Sequence, residues 1–355
     1  MAVATPAIVQ LARSFVCVRV TDLRPLDLAR WRFDFDLTFA ALTATPDGAV
    51  LHRYGGRDAA DAEAFLSLAS FEAFLRGSAA RFADPAARPP APSADLAPRT
   101  IEASAAFRRR DAEKQIDCVH CHTVNDFEFR DAAASGRFRR EQLFVFPDPA
   151  RLGFEVERDQ QQRVARVAAS GPAARAGLAA GDRLLAVAGQ PLLTRADLQW
   201  ALHQLPTGAT KLELCVERAG APVALQLELA AGWKECDALE YAWRPYKWNL
   251  TPGPGFGGKP LDAARKRALG LATDAFAQEV GYLVTWGDKA ATGKSAQAAG
   301  LKKGDVVVAV AGKSDFANED HFQAWFRLER KPGETVELVV LRDGQRRTLK
   351  MKVVE

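Results

Sequence analysis

The sequence predicts a multidomain protein of mixed α/β and α+β class, on three observations. The pattern A-G-L-x-x-G-D, followed by a strand and A-V-A-G, occurs twice, at 176–189 and 299–312. The N-terminal part alternates apolar strand-like runs with helical periodicity. Between these regions, Cys118-Val119-His120-Cys121-His122 spells C-x-x-C-H. A chain of 355 residues has room for about two to four domains. Its 48% hydrophobic and 26% charged residues are those of packed globular material. The net charge of +4 and the absence of a basic block with interleaved aromatics argue against nucleic acid as a partner. No apolar run reaches the length needed to span a bilayer.

Taken in order, Pro6–Arg13 reads as a short helix with proline in its first turn. Phe15-Val16-Cys17-Val18-Arg19-Val20 reads as a buried strand, with Cys17 a small core residue. Leu26–Phe33 is predicted helical. Thr38–Thr45 and Val50–Tyr54 are predicted strands, separated by the turn Pro46-Asp47-Gly48. Ala60–Phe82 carries Phe65, Leu68, Phe71, Phe74 and Leu75 on one helical face. Residues 83–98 are rich in Ala and Pro, lack periodicity and read as a linker. Residues 99–146 hold the C-x-x-C-H motif between two charged helical stretches.

Each repeat continues from A-V-A-G into an amphipathic helix, Arg195–Leu205 or Glu319–Leu328. Each then closes with two strands around Ala219-Gly220 or Asp343-Gly344. Cys215 lies in an apolar alternating run and reads as core, whereas Cys236 lies in a polar linker and reads as exposed. Between the repeats, residues 231–258 collect Trp233, Tyr241, Trp243, Tyr246 and Trp248 before a Pro/Gly run. These aromatics read as packing between modules rather than as a ligand surface.

The C-x-x-C-H motif supports several chemistries. Two thiols one helical turn apart, followed by histidine, are what covalent haem c attachment requires: Cys118 and Cys121 would bind the porphyrin and His122 the iron. The only methionines are Met1 and Met351, so a distal ligand would be His52, His203 or His321, or the position would be open. Alternatively, Cys118 and Cys121 cycle between dithiol and disulfide, with thiolate favoured by His120 and His122. The same two thiols and two imidazoles also suit zinc or copper. A static disulfide across so short a loop would stabilise little.

On these residues the two repeats, at about 150–230 and 255–355, resemble PDZ domains of bacterial type. The resemblance implies small, partly open barrels that bind protein C-termini or extended peptides by strand addition. It implies carboxylate-binding loops at Leu152-Gly153-Phe154 and Leu269-Gly270-Leu271, where glycine lets amides turn inward. The first groove helix carries Gln199 and Ala201, and the second His321, Phe322, Trp325 and Phe326. The aromatic-rich second helix is expected to close its own groove, leaving the first the more open.

Residues 1–82 resemble the later part of a thioredoxin fold by element order, although Leu37 stands where that family's cis-proline would fall. The whole order looks like a bacterial family of thioredoxin-like plus PDZ proteins, some of them selenoproteins. Its matching stretches are Phe15–Val20, Phe33–Phe39, Asp47–Arg57 and the C-x-x-C-H motif. That resemblance implies a redox-linked scaffold whose redox pair lies upstream of Met1, with truncation at a selenocysteine codon. It also implies an extracytoplasmic location, whereas Met1–Gln10, without a basic n-region or apolar core, would on its own indicate the cytoplasm. A PDZ-bearing serine protease is disfavoured, because no G-x-S-x-G occurs and no segment has the size of a protease domain.

Overall fold

Helix formation begins where the sequence first offers a cap. In the computed structural model, which describes residues 5–92 and 97–355, the Thr5 hydroxyl accepts from Ile8 N and opens α1 (Pro6–Ala12). The chain divides into two units, residues 1–236 and 237–355. In the first unit, β1 (Ala41–Ala44) and β2 (Val50–Tyr54) form an antiparallel hairpin. Helix α2 (Leu68–Ala83) follows, capped by Ser67. Ile8, Tyr54, Phe74 and Leu75 pack α1, β2 and α2 into a small core. Helix α2 starts later than its periodicity suggests. The Asp58 and Asp61 carboxylates accept from the amides of Ala60, Asp61 and Glu63, which holds that stretch in turns.

Other N-terminal expectations change more. Phe15–Val20 is neither helix nor strand, and no strand pairs with it among the described residues. Val16 is 94% and Val18 79% exposed, and Cys17 is exposed rather than in a core. β-Branched residues favour an extended backbone, but a strand also needs a neighbour's hydrogen bonds and a surface to pack on. Leu26–Phe33 forms turns instead of a helix, with Asp27 Oδ1 accepting from Ala29 N. The sheet of this region has two strands, and nothing here supports a thioredoxin-like domain. The expected linker at 83–98 has no helix or strand beyond Ala83 in its described part, and residues 93–96 lie outside the described residues.

Helices α3 (Ala105–Glu113) and α4 (Cys121–Ala134) carry the middle segment. Phe107, Val119, Val124 and Phe127 share one core with Leu23, Leu28 and Phe35. Glu128 on α4 holds Arg32 and Arg99, each at 2.8 Å. The C-x-x-C-H segment is therefore packed together with residues 22–37.

The first repeat comprises β3 (Phe154–Val156), β4 (Val164–Val167), α5 (Pro172–Arg175), β5 (Arg183–Val187), β6 (Gln190–Pro191), α6 (Arg195–Gln204), β7 (Thr210–Arg218) and β8 (Ala221–Leu229). Strands β3 and β4 pair, and the other four form a sheet in the order β6-β5-β7-β8. The second unit contains α7 (Ala238–Tyr241), β9 (Phe256–Pro260), α8 (Ala263–Ala268), β10 (Gln278–Leu283), α9 (Ala290–Ala298), β11 (Val306–Val310), α10 (Glu319–Glu329), β12 (Thr335–Arg342) and β13 (Gln345–Lys352). Its five strands run in the order β13-β12-β11-β10-β9. Each repeat has its own apolar core. Of the aromatics between the repeats, Trp233 packs on the first core, while Tyr241 and Tyr246 are buried in the second unit. Cys215 and Cys236 are both half-buried.

The Gly-Asp of each A-G-L-x-x-G-D has one physical cause. Asp182 is buried and receives Arg218 through two bonds, Nε at 2.7 Å and a terminal nitrogen at 2.6 Å. Asp305 receives Arg342 in the same way, at 2.7 Å twice. Each arginine also donates to the glycine carbonyl of the preceding A-G-L, Gly177 or Gly300, at 2.7 Å. Each aspartate accepts a loop amide, from Ala179 or Lys302. The clamp fastens the turn before β5 or β11 to the end of β7 or β12.

These bonds set a pH dependence. The Arg218 hydrogen bonds hold the Asp182 carboxyl below the ordinary aspartate range. Burial pushes Asp305 up, but Arg342 and the Lys302 amide outweigh it, and the net shift is again downward. A depressed carboxyl confers stability that is whole above the ordinary aspartate pKa and is lost as the pH falls through the folded value. Wild type should therefore lose urea resistance as the pH falls below the ordinary aspartate pKa of about 4. Asp182→Asn or Asp305→Asn should cost about 2 kcal/mol near neutrality and show a smaller acid loss. Equal acid losses in wild type and variants would contradict this account.

Candidate functional site

Each repeat places a glycine with positive φ immediately before the end strand of a ladder. Gly153 has φ +88 and precedes β3, which pairs only with β4. Gly255 has φ +79 and precedes β9, the last strand of its sheet. At Gly255 an added Cβ would also lie 2.2 Å from Thr292 O, so both conformation and space require glycine. Topology therefore assigns the second loop to Pro254-Gly255-Phe256. The predicted Leu269-Gly270-Leu271 instead closes α8. Gly270 N donates to Arg267 O and Leu271 N to Lys266 O, and Gly270 has φ +72. A Gly-Phe pair, at 153–154 and at 255–256, marks the glycine that precedes the edge strand in each repeat.

Antiparallel alternation fixes which edge atoms face outward. Gly153 O accepts from Ala168 N, and Glu157 N donates to Arg163 O, so these residues face β4. The N–H and C=O groups of Phe154 and Val156 then face the opposite way. No hydrogen bond reaches them among the described residues. In the second repeat, Gly255 O accepts from Val284 N, so Phe256 and Gly258 hold the equivalent outward positions. Here the edge is occupied. Gln323 Nε2 lies 3.5 Å from Phe256 O, and the Glu319 carboxylate accepts from Gly258 N.

The two helices explain the difference. Thr194 and Asn318 are the N-caps, so Arg195 matches Glu319 and Gln199 matches Gln323. A guanidinium only donates, so an arginine beside a glutamine fixes which end of the amide faces it. Arg327 donates to Gln323 Oε1 and leaves Nε2 toward Phe256 O. Arg195 donates to Gln199 Oε1 at 2.8 Å, and Nε2 meets Phe146 O at 3.1 Å instead of the strand. Arg195 is also ion-paired with Asp148, donates to Arg57 O at 3.0 Å and lies over the Phe65 ring at 4.2 Å. The chain leading into the first repeat thus draws the helix side chains away from β3.

Helix α6 is also enclosed on another side. Asp197 is buried and accepts from Arg53 N at 2.8 Å and Leu193 N at 3.1 Å, and lies 2.7 Å from His52 Nδ1. Thr194 donates to Arg53 O. Phe146 stacks on His203 at 4.4 Å. Ala201 faces the core rather than the groove. In the second repeat Phe322 and Phe326 are core residues, and His321 Nδ1 accepts from Ala317 N.

The C-x-x-C-H residues are split between surface and core. Helix α4 starts at Cys121 with His120 as N-cap. Val119 is buried; its N–H donates to Asp22 at 2.9 Å and its carbonyl accepts from Leu23 N. Cys118, His120 and His122 are exposed, and the two imidazoles lie parallel with centroids 5.9 Å apart. Cys121 Sγ is 3.7 Å from Leu37 O. Among the described residues, no three His, Cys, Asp or Glu side chains are arranged to hold a metal. Burial pushes the Cys121 thiol up. The charges of Asp36 and Asp34 add to this, and the amides at the helix start do not offset it. The expected activation of this thiol by its histidines is therefore reversed.

One PDZ domain family matches residues 163–216 and a second PDZ domain family matches residues 289–353. The chain carries two tandem PDZ domains. Among curated proteins it is similar to a probable periplasmic serine endoprotease DegP-like from Pseudomonas savastanoi pv. phaseolicola (strain 1448A / Race 6). The two are 27% identical over 202 residues, 57% of this chain and 39% of the relative, so the chain spans well under half of that protein. Among solved structures it is similar to the HtrA-type protease AlgW with decapeptide, at 15% identity, 50% of this chain, 57% of that chain and TM-score 0.24. A form of AlgW with tripeptide gives 16% identity, 54% and 58% coverage and TM-score 0.26.

The cysteine environments predict unequal reactivity. At mildly alkaline pH, iodoacetamide should modify exposed Cys118 before Cys121, and Cys121 should require the higher pH. Mass spectrometry of tryptic peptides over a pH series would show it. Faster modification of Cys121 would contradict the assignment.

Proposed function

We propose that this protein is an extracytoplasmic scaffold that binds extended peptides or protein C-termini at the edge of β3. One observation carries the reading: the outward N–H and C=O groups of Phe154 and Val156 follow a positive-φ glycine and have no hydrogen-bond partner among the described residues. A peptide strand would complete that ladder, and the outward Phe154 N of the Leu152-Gly153-Phe154 loop would receive its carboxylate. Arg195 and Gln199 are held by Asp148 and Phe146 and make no bond to that edge. The extracytoplasmic assignment is supported by the DegP-like relative, which is named as periplasmic.

Fluorescence anisotropy on the full chain tests the reading. Peptides with a free C-terminus should bind, and amidation should weaken binding about tenfold through loss of charge-assisted bonds. Gly153→Val places a β-branched residue at positive φ and should weaken binding by a similar factor. Equal affinity for free and amidated peptides, or no effect of Gly153→Val, would overturn the assignment.

For the C-x-x-C-H segment we propose a surface thiol role in preference to haem. The supporting observation is that candidate distal ligands are engaged elsewhere: His52 with Asp197, and His203 with Phe146 N. Cys121 is also turned toward Leu37 O. After expression with cytochrome c maturation machinery, the purified protein should show no Soret band; a Soret band that survives denaturation would overturn this choice.

A further inference from the structure

The two groove helices differ in charge sign at their first position, which is Arg195 in the first repeat and Glu319 in the second. We propose that Glu319 and Gln323 form a latch across the second groove, and that this groove opens to extended peptides carrying a cationic side chain opposite Glu319. The inference rests on the peptide-binding reading given above and names the ligand class of the second repeat.

The atoms that a peptide strand would need on β9 are already bonded. Gly258 N donates to the Glu319 carboxylate, and Phe256 O faces Gln323 Nε2. Arg327 holds Gln323 in this orientation. Gln278 Nε2 adds a second bond to Glu319 at 2.9 Å. A strand entering the groove must take Gly258 N from Glu319. The half-buried carboxylate then loses a donor, which costs more than an exposed bond.

The cation that acts on Glu319 is engaged elsewhere. Lys247, the cation closest in influence, is ion-paired with Asp320 at 3.0 Å. Asp320 is the adjacent residue on the helix and repels Glu319. The groups that act on Glu319 include one carboxylate, one paired ammonium, a neutral amide and a backbone N–H. A neutral peptide leaves the carboxylate short of a partner. An acidic peptide adds repulsion. A lysine or arginine beside Gly258 supplies a charge-assisted bond in place of the one broken. The first groove lacks this selection, because Arg195 is neutralised by Asp148 and bonded to Arg57 O and Gln199.

The test uses the full chain with Gly153→Val to blind the first groove, and fluorescent peptides with free C-termini. The peptides share an apolar frame and carry Lys, Gln or Asp at one position, moved along the peptide in turn. At one position the Lys peptide should bind at least about tenfold tighter than its Gln counterpart, and the Asp peptide weakest. Adding Glu319→Gln should erase the Lys preference and tighten the Gln peptide. Equal affinities at every position, or a Lys preference that survives Glu319→Gln, would overturn the latch. So would binding by wild type through the first groove alone, with none by the Gly153→Val chain; that outcome leaves the peptide-binding function standing. No binding by wild type at all would remove both.

Discussion

A strand at the end of a ladder leaves a row of backbone donors and acceptors on its outer side, and something must satisfy them. Each repeat here ends on such a strand, and each lays a helix beside it. The second repeat answers internally: Glu319 and Gln323 reach across from the helix and take Gly258 N and Phe256 O. The first repeat does not, although Gln199 stands at the same helix position as Gln323. Its amide is spent on Phe146 O, and Arg195 is spent on Asp148. One substitution of charge sign, Arg195 against Glu319, separates an edge that takes no bond from its helix from an edge bonded by its own side chains.

Holding Arg195 and Asp197 in the interior is costly unless every bond is made. Arg195 meets a carboxylate, a carbonyl, a side-chain amide and an aromatic face. Asp197 accepts two backbone amides and faces an imidazole. Most of these partners lie outside the repeat, in β2, the turn after it and the lead-in chain. The first groove helix is therefore anchored by non-repeat residues of its own unit. The β1–β2 hairpin, too small to be stable alone, gains its support from the same contacts.

What the sequence made legible was local. The A-G-L-x-x-G-D pattern recurs because one buried aspartate, one arginine and one glycine carbonyl must meet, and fixed spacing records that need. The groove helices and α2 were readable from their amphipathic periodicity, although the start of α2 was displaced by aspartate turns. Phe15–Val20 was misread because its β-branched content reports a preference for extension, while pairing depends on a neighbour that local sequence does not encode. The second loop was misplaced because positive-φ glycine has two common uses. Gly270 closes a helix and Gly255 opens an edge strand, and Leu-Gly-Leu imitates Leu-Gly-Phe better than Pro-Gly-Phe does. Topology decided between them.

The C-x-x-C-H segment shows the same limit of spacing as evidence. Cys121 stands at a helix start, where amides favour thiolate. The fold then buries that sulfur beside Leu37 O and two aspartates, and burial wins. Spacing also sets His120 and His122 in parallel on the surface, while Val119 between the cysteines is drawn into a core with Val124 and Phe127. The motif's apolar residue is used for packing the segment against residues 22–37, and its polar residues are what remain outside. A five-residue pattern records which groups are present; their chemistry follows from which of them the surrounding core takes in.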